Sequence, residues 1–234
     1  MSSSTTRSIP LTRSLPPNAY RNNKVSTAKY SFLTFLPRFV YEQVLCKYAN
    51  MFFLLTGSIQ TIKDISPTSQ FGTLLPLAVV LLLTAIKEIF EDSKRYAVDR
   101  AVNSSDTHVL VPEKSANKPV LFKFQNAAWR DVHVGDIVRV NSEQFFPADI
   151  VFISSSEKNG TCYVETSQLD GETNLKFKQA LIESSSITNA VSLANMKGSV
   201  ESEGPNSNLY TYAAKLILGS AQYSLGTDQL LLRV

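Results

Sequence analysis

The residues best suited to chemistry lie in one stretch, CYVETSQLDGETNLKFK (162–178). Asp170-Gly171 is a tight-turn dipeptide that lifts Glu172 and Thr173 onto a projecting loop. A carboxylate beside a hydroxyl at such a tip can orient a water for attack on a phosphoester or an acyl phosphate. A solvated acidic turn is made of the same residues, and on spacing alone that plainer reading is the stronger. Other ingredients for catalysis are sparse. Cys46 and Cys162, the two cysteines, are far apart and lack CxxC spacing or histidine partners; they read as inert thiols in a reducing compartment. His108 and His133 read as strand or loop residues, and no metal site is expected. A net charge of +3 without a long basic run argues against a nucleic-acid partner.

Two apolar segments precede this loop. Residues 45–62 (LCKYANMFFLLTGSIQTI) carry charge only at Lys47, and residues 71–90 (FGTLLPLAVVLLLTAIKEIF) are uncharged up to Ile86. A membrane-spanning helix needs about 20 mostly apolar residues and tolerates cations at its ends. Pro76 falls in the first turns of the second segment, where its missing donor costs least. The expectation is a two-helix transmembrane hairpin; a buried helical hairpin in a soluble fold is the alternative. The flanks favour the membrane. Arg7, Arg13, Arg21, Lys24, Lys29 and Arg38 precede the first segment and Lys94, Arg95 and Arg100 follow the second, whereas residues 63–70 carry only Lys63 and Asp64. Cytosolic flanks are rich in Lys and Arg, so both termini are expected in the cytosol, with the connecting loop exoplasmic. This also accounts for the basic, acid-free N-terminus without a mitochondrial transit peptide. Gln60 and Thr61 are polar within the first segment. Depth alone favours solvation at the exoplasmic interface; the alternative is a protein interior or a wet path.

Beyond Phe90 the charged run EDSKRYAVDRAVNSSD (91–106) extends the second helix as a stalk. Short segments rich in Val, Ile and Phe then predict strands at 108–111, 120–124, 132–140, 149–153, 162–164, 215–218 and 229–234. Trp129, Val132 and Val134 read as packing positions ahead of a turn at Gly135-Asp136. Residues 182–208 are rich in Ser, Asn and Gly and read as a long surface excursion, with a short helix near 192–196. The fold class expected is a mixed α and β membrane protein whose strands form a compact antiparallel sandwich or barrel. Its parts are an N-terminal cytosolic segment (1–42), the hairpin with its stalk (43–95) and a β domain (96–234). Asn103 and Asn159 begin glycosylation sequons, which are chance matches if both lie in the cytosol.

Three blocks, WRDVHVGDIVRV (129–140), FFPADIVFISSS (145–156) and CYVETSQLDGETNLK (162–176), resemble the jelly-roll-like actuator domain of P-type ATPases. Asp-Gly-Glu-Thr is characteristic of the phospholipid-flippase branch, where ion pumps carry Thr-Gly-Glu-Ser. VSTAKYSFLTFLPRFVYEQV (25–44), KYANMFFLL (47–55), DISPTSQFGTLLPL (64–77) and AIKEIFEDSKRYAVD (85–99) resemble the same branch. The resemblance implies a pump that uses ATP and Mg2+ to phosphorylate an aspartate and moves a phospholipid from the exoplasmic to the cytosolic leaflet. It implies a plasma, Golgi or endosomal membrane and a small accessory membrane subunit as partner. Glu172 would position the hydrolytic water, Gly171 would permit close backbone approach to the phosphate, and Asp170 and Thr173 would shape the loop. Gln60-Thr61 falls where many members have Gln-Gln near the lipid head-group entry; Thr61 departs from that pair, so lipid preference does not transfer.

No Asp-Lys-Thr-Gly-Thr phosphorylation motif and no phosphate-gripping Gly-rich loop occurs in the sequence. The expectation is therefore a truncated product or partial gene product, unable to hydrolyse ATP alone. The competing expectation is a catalytically dead membrane module that binds lipid or a pump's partner.

Overall fold

The computed structural model describes residues 6–11, 20–62, 71–113, 121–204, 206, 208 and 210–233. The expected exoplasmic loop (63–70), the cation Arg13 and the strand residues Val120 and Val234 lie outside them. The chain divides into two compact units, Val25–Val102 and the combination of Met1–Lys24 with Asn103–Val234.

The Val25–Val102 unit is helical. Helix α1 (Phe35–Val40) runs into a π-helical turn (Tyr41–Leu45), followed by α2 (Tyr48–Gln60) and α3 (Leu74–Asn103). Extended backbone at Lys47 (φ −101°, ψ 103°) separates the turn from α2, so the helix expected from residue 45 starts at Tyr48. Thirteen residues of α-helix span about 20 Å, against a hydrocarbon core of about 30 Å. The 30-residue α3 is long enough, but Lys87, Glu88 and Glu91 interrupt its apolar run. Among the described residues no helix is long and apolar enough to cross a membrane, and the expected spanning hairpin at 45–62 and 71–90 is not confirmed. The two helices do meet closely. A Cβ on Gly57 would come within 2.5 Å of Leu74 Cδ2, so a larger residue there would force the Leu74 side chain to move.

Helix α3 continues past Phe90 through the charged stretch, and its carboxylates have a structural task. Glu88, Asp92 and Asp99 lie at i, i+4 and i+11, one face of the helix. The Asp99 carboxylate accepts hydrogen bonds from the Thr27 N–H (2.6 Å), the Thr27 hydroxyl (2.7 Å) and the Ala28 N–H (3.1 Å). Asp92 accepts from the N–H groups of Lys29 (2.6 Å) and Tyr30 (3.3 Å). Glu88 stands 3.9 Å from the Lys29 ammonium and 3.5 Å from the Tyr30 hydroxyl. Residues 27–30 have no secondary structure, so helix side chains satisfy backbone donors that would otherwise need a strand partner. Lys29 also pairs with Glu42, which accepts from Arg38 Nε at 3.0 Å. The Lys29 ammonium, with help from Arg38 and the Tyr30 hydroxyl, holds the Glu42 carboxyl down at about 2.

The other unit carries the sheets. Its strands are β1 (Arg7–Pro10), β2 (Asp106–Glu113), β3 (Leu121–Ala128), β4 (Val138–Arg139), β5 (Ile150–Val151), β6 (Thr161–Val164), β7 (Lys176–Gln179), β8 (Gly198–Ser202), β9 (Ala214–Leu218), β10 (Ala221–Leu225) and β11 (Leu230–Leu231). Three short helices, α4 (Ser167–Asp170), α5 (Ile182–Ser185) and α6 (Ala190–Ala194), lie between β6 and β8 in the chain. The sheet orders are β1-β8-β9-β10, β3-β2-β4, β6-β7 and β11-β5, and every pairing among the described residues is antiparallel, as expected. One apolar cluster joins Val200, Ala214, Leu216 and Leu225; another joins Phe152, Val164, Ala180 and Leu231.

Three expectations are corrected. The 182–208 excursion contains β8, which pairs with β1 on one side and β9 on the other and buries Val200. One apolar residue among Gly, Ser and Glu leaves no periodic run to read. The short helix within this stretch is real, starting two residues early, with the Asn189 side chain accepting from the Val191 N–H. Of 132–140, only Val138–Arg139 is strand, because the segment is spent on the turn at Gly135 (φ +93°), tied by the His133 N–H to Asp136 Oδ2 at 2.8 Å. Trp129 and Val132 are buried as expected, but Val134 is exposed on that turn. Trp129 anchors its surroundings: its N–H donates to the Ser105 carbonyl (2.9 Å), its carbonyl accepts from Asn23 Nδ2 (2.8 Å), and the Arg233 guanidinium lies 5.0 Å above its ring.

Leu216 is fully buried at the centre of its cluster. Leu216→Ala should cost about 2–5 kcal/mol, read as a lower urea midpoint with unchanged slope by fluorescence of Trp129, the single tryptophan, which lies in the same unit. A second outcome follows from Glu42. Its folded pKa lies below its unfolded value, so the stability it contributes is present above about pH 4.3 and is lost as pH falls towards 2. Thermal melts of helical circular dichroism in detergent should separate wild type from Glu42→Gln at pH 6, and the two should converge by pH 2.

Candidate functional site: the Asp170–Lys176 turn

The turn is built on a hairpin. Strands β6 and β7 pair in register Val164↔Lys176 and Tyr163↔Phe177, so residues 165–175 must reverse the chain. They do it with one turn of helix, α4, closed by Gly171 in the left-handed region (φ +77°, ψ 1°). The Gly171 N–H donates to the Ser167 carbonyl at 2.9 Å. Left-handed backbone is cheap only for glycine, and a Cβ there would meet nothing within 4 Å, so the requirement is conformational and the space beside Gly171 is open. Residues 171–175 are all exposed, the projecting loop that the Asp-Gly signal predicts.

The two carboxylates of the turn are in opposite environments. The Asp170 side chain is 6% exposed and saturated with donors. It accepts from the Thr166 hydroxyl (3.0 and 3.1 Å to its two oxygens), from the Glu172 N–H (3.0 Å) and from the Lys176 ammonium. The Lys176 ammonium, then the Glu172 N–H, lower the Asp170 pKa, so it stays ionised. Glu172 is 60% exposed at the tip, and one of its oxygens, Oε2, lies 3.0 Å from Lys176 Nζ. Lys176 therefore bridges both carboxylates, and its own pKa is raised, first by Asp170 and then by Glu172. Thr173 is exposed beside Glu172. Thr166 and Lys176 had no role assigned from sequence. Their signal was present as Thr-x-x-x-Asp and Glu-x-x-x-Lys spacing, each an i,i+4 pair.

A pocket of about 260 Å³ opens beside the turn, lined by Thr166, Asp170, Lys176, Lys178, Tyr210 and Thr227 among others. Lys178 donates to the Thr227 carbonyl at 2.6 Å, and burial lowers its pKa. Cys162, on β6, is a free thiol whose pKa burial raises. Gln60 and Thr61 belong to the helical unit. Gln60 Oε1 accepts from the Thr73 hydroxyl at 2.6 Å, joining the end of α2 to the start of α3, and the Thr61 hydroxyl turns back to the Gly57 carbonyl at 3.0 Å.

The profile of the phospholipid-translocating ATPase N-terminal region matches residues 9–74. A phospholipid-transporting ATPase of Schizosaccharomyces pombe is 48% identical over 218 residues, 92% of this chain and 16% of the relative. One of Saccharomyces cerevisiae is 44% identical over 214 residues, 92% of this chain and 15% of the relative. One of Caenorhabditis elegans is 40% identical over 212 residues, 91% of this chain and 18% of the relative. The chain thus spans about a sixth of the length of the curated relatives it matches. With its N-terminal profile match and this identity along nearly its whole length, the chain belongs to the phospholipid-transporting ATPase family.

Proposed function

We propose that this chain is the N-terminal part of an ATP-driven phospholipid translocase, and that its Asp170–Lys176 turn catalyses loss of phosphate from the pump's aspartyl phosphate. The observation that carries the reading is the division between the two carboxylates. Asp170 is enclosed, ionised and fully bonded, which suits it to hold the loop's shape; Glu172 stands exposed at the tip, which suits it to meet a water. In the reaction the water oxygen attacks phosphorus in line with the aspartyl oxygen. The phosphorus–oxygen bond to the aspartate breaks, and its electron pair leaves with the carboxylate. Glu172 accepts the water's proton. The open space beside Gly171 leaves room for the phosphoryl group, and Thr173 helps to shape the tip.

ATP and magnesium serve the phosphorylation step in the intact pump. Among the described residues no three His, Cys, Asp or Glu side chains converge to hold a metal ion. The lipid moved is a membrane phospholipid, passing from the exoplasmic to the cytosolic leaflet, with Gln60 and Thr61 near its head-group entry and a small accessory membrane subunit as partner. The unit containing the sheets is the actuator domain, of jelly-roll-like sandwich type. Exposed apolar residues support a bilayer position for α2 and the first half of α3: Phe52, Leu75, Leu82 and Leu83 are each more than 60% exposed. Such surface is unfavourable in water by about 25 cal/mol per Å² and is at ease among lipid chains. The topology follows as a hairpin with both termini in the cytosol, in a plasma, Golgi or endosomal membrane.

In a full-length pump carrying these residues, Glu172→Gln should let the aspartyl phosphate form and slow its decay by roughly a hundredfold or more, followed by a chase of radiolabelled phosphoenzyme. Unchanged decay excludes the role given to Glu172. Epitope tags inserted at Ser3 and at Asn206 should both be protected from protease in sealed cells, and cleavage of either overturns the topology.

A further inference from the structure

Lys176 is the one cation that touches both carboxylates of the turn among the described contacts. Its place is fixed by the hairpin, since it opens β7 opposite Val164, a buried residue of the apolar cluster beneath. Its ammonium is anchored on the enclosed Asp170, and from that anchor it reaches Glu172 Oε2 at 3.0 Å. Resting on the dephosphorylation role given to Glu172, we infer that Lys176 is a positioning residue, which holds Glu172 Oε2 so that Oε1 accepts the hydrogen bond of the attacking water. An exposed glutamate has three freely turning side-chain bonds, and a base that must meet a water in line with a scissile bond loses much of its effect when it samples other rotamers. Fixing one oxygen on a cation that is itself fixed leaves the other with a defined direction. Lys176 exchanges no proton in this step. The water proton goes to Glu172, the new bond is oxygen to phosphorus, and the electron pair of the broken bond leaves on the aspartyl carboxylate.

Lys176 acts through Glu172, so its effect must vanish when Glu172 cannot act. The test uses a full-length pump carrying these residues, in vesicles of mixed phosphatidylserine, phosphatidylethanolamine and phosphatidylcholine. Phosphoenzyme is formed with radiolabelled ATP and chased with unlabelled ATP. The decay constant is read only from molecules that have formed phosphoenzyme, hence from folded pump. Lys176→Met should slow decay roughly tenfold, and Lys176→Arg should recover it to within roughly threefold, because a guanidinium fork also spans two carboxylates. In the Glu172→Gln background Lys176→Met should add less than about twofold, the non-additivity of residues acting as a unit. Wild-type decay in Lys176→Met, or effects that multiply in the double variant, would overturn the inference while leaving Glu172 its role. Wild-type decay in Glu172→Gln would instead remove the reading on which the inference stands.

Discussion

The burial of one charged group, the Asp170 carboxylate, organises the turn around it. An ionised carboxylate withdrawn from water is tolerable only when its lone pairs are met by donors, and here a hydroxyl, a backbone N–H and an ammonium meet them. Each donor comes from a different part of the turn: Thr166 before α4, Glu172 after its left-handed cap, and Lys176 where β7 begins. Satisfying Asp170 therefore fixes the whole reversal. Exposure of Glu172 is the complement of that enclosure, because the N–H that Glu172 gives to Asp170 directs its own side chain outward.

The helical unit uses the same device along a line. Helix α3 extends beyond its apolar half, and by composition its charged half suits a solvated surface. Instead Asp99, Asp92 and Glu88 face the irregular segment 27–30 and receive its backbone and side-chain donors. Lys29 and Arg38 then draw Glu42 into the cluster, so ionic and charge-assisted bonds join the buried Phe39 and its ring contact with Phe35 in holding the start of the helical unit. Many apolar side chains of α2 and of the first half of α3 stay exposed, Phe52, Leu75 and Leu82 among them.

What the sequence made legible and what it hid divide along physical lines. Strands β2, β3, β6 and β9 carry enough β-branched and aromatic residues to show a run, and Asp170-Gly171 declared its turn through glycine's access to left-handed backbone. Strands β1, β7, β8 and β10 were hidden because sheet pairing, not composition, makes them strands; Gly198-Ser199-Val200-Glu201-Ser202 has one apolar residue and two strand neighbours. In the turn, Glu172 was legible as an exposed acid. The opposite fate of Asp170, two residues away, was not, since it depends on Thr166 and Lys176 folding back onto it. The expected spanning lengths are not confirmed: α2 starts only after the extended backbone at Lys47, and Lys87-Glu88 interrupt the apolar run of α3 without ending the helix.

Each unit fastens its own end of the chain segments that leave it. The chain crosses between the units twice, after Lys24 and after Val102. Within the helical unit, hydrogen bonds join Thr27 to Asp99 of α3. Within the other unit, Asn23 and Ser105 are joined through opposite backbone groups of Trp129. Residues 23 and 105 are far apart in the sequence, so the Trp129 main chain acts as a buckle that closes two separate segments of that unit onto each other.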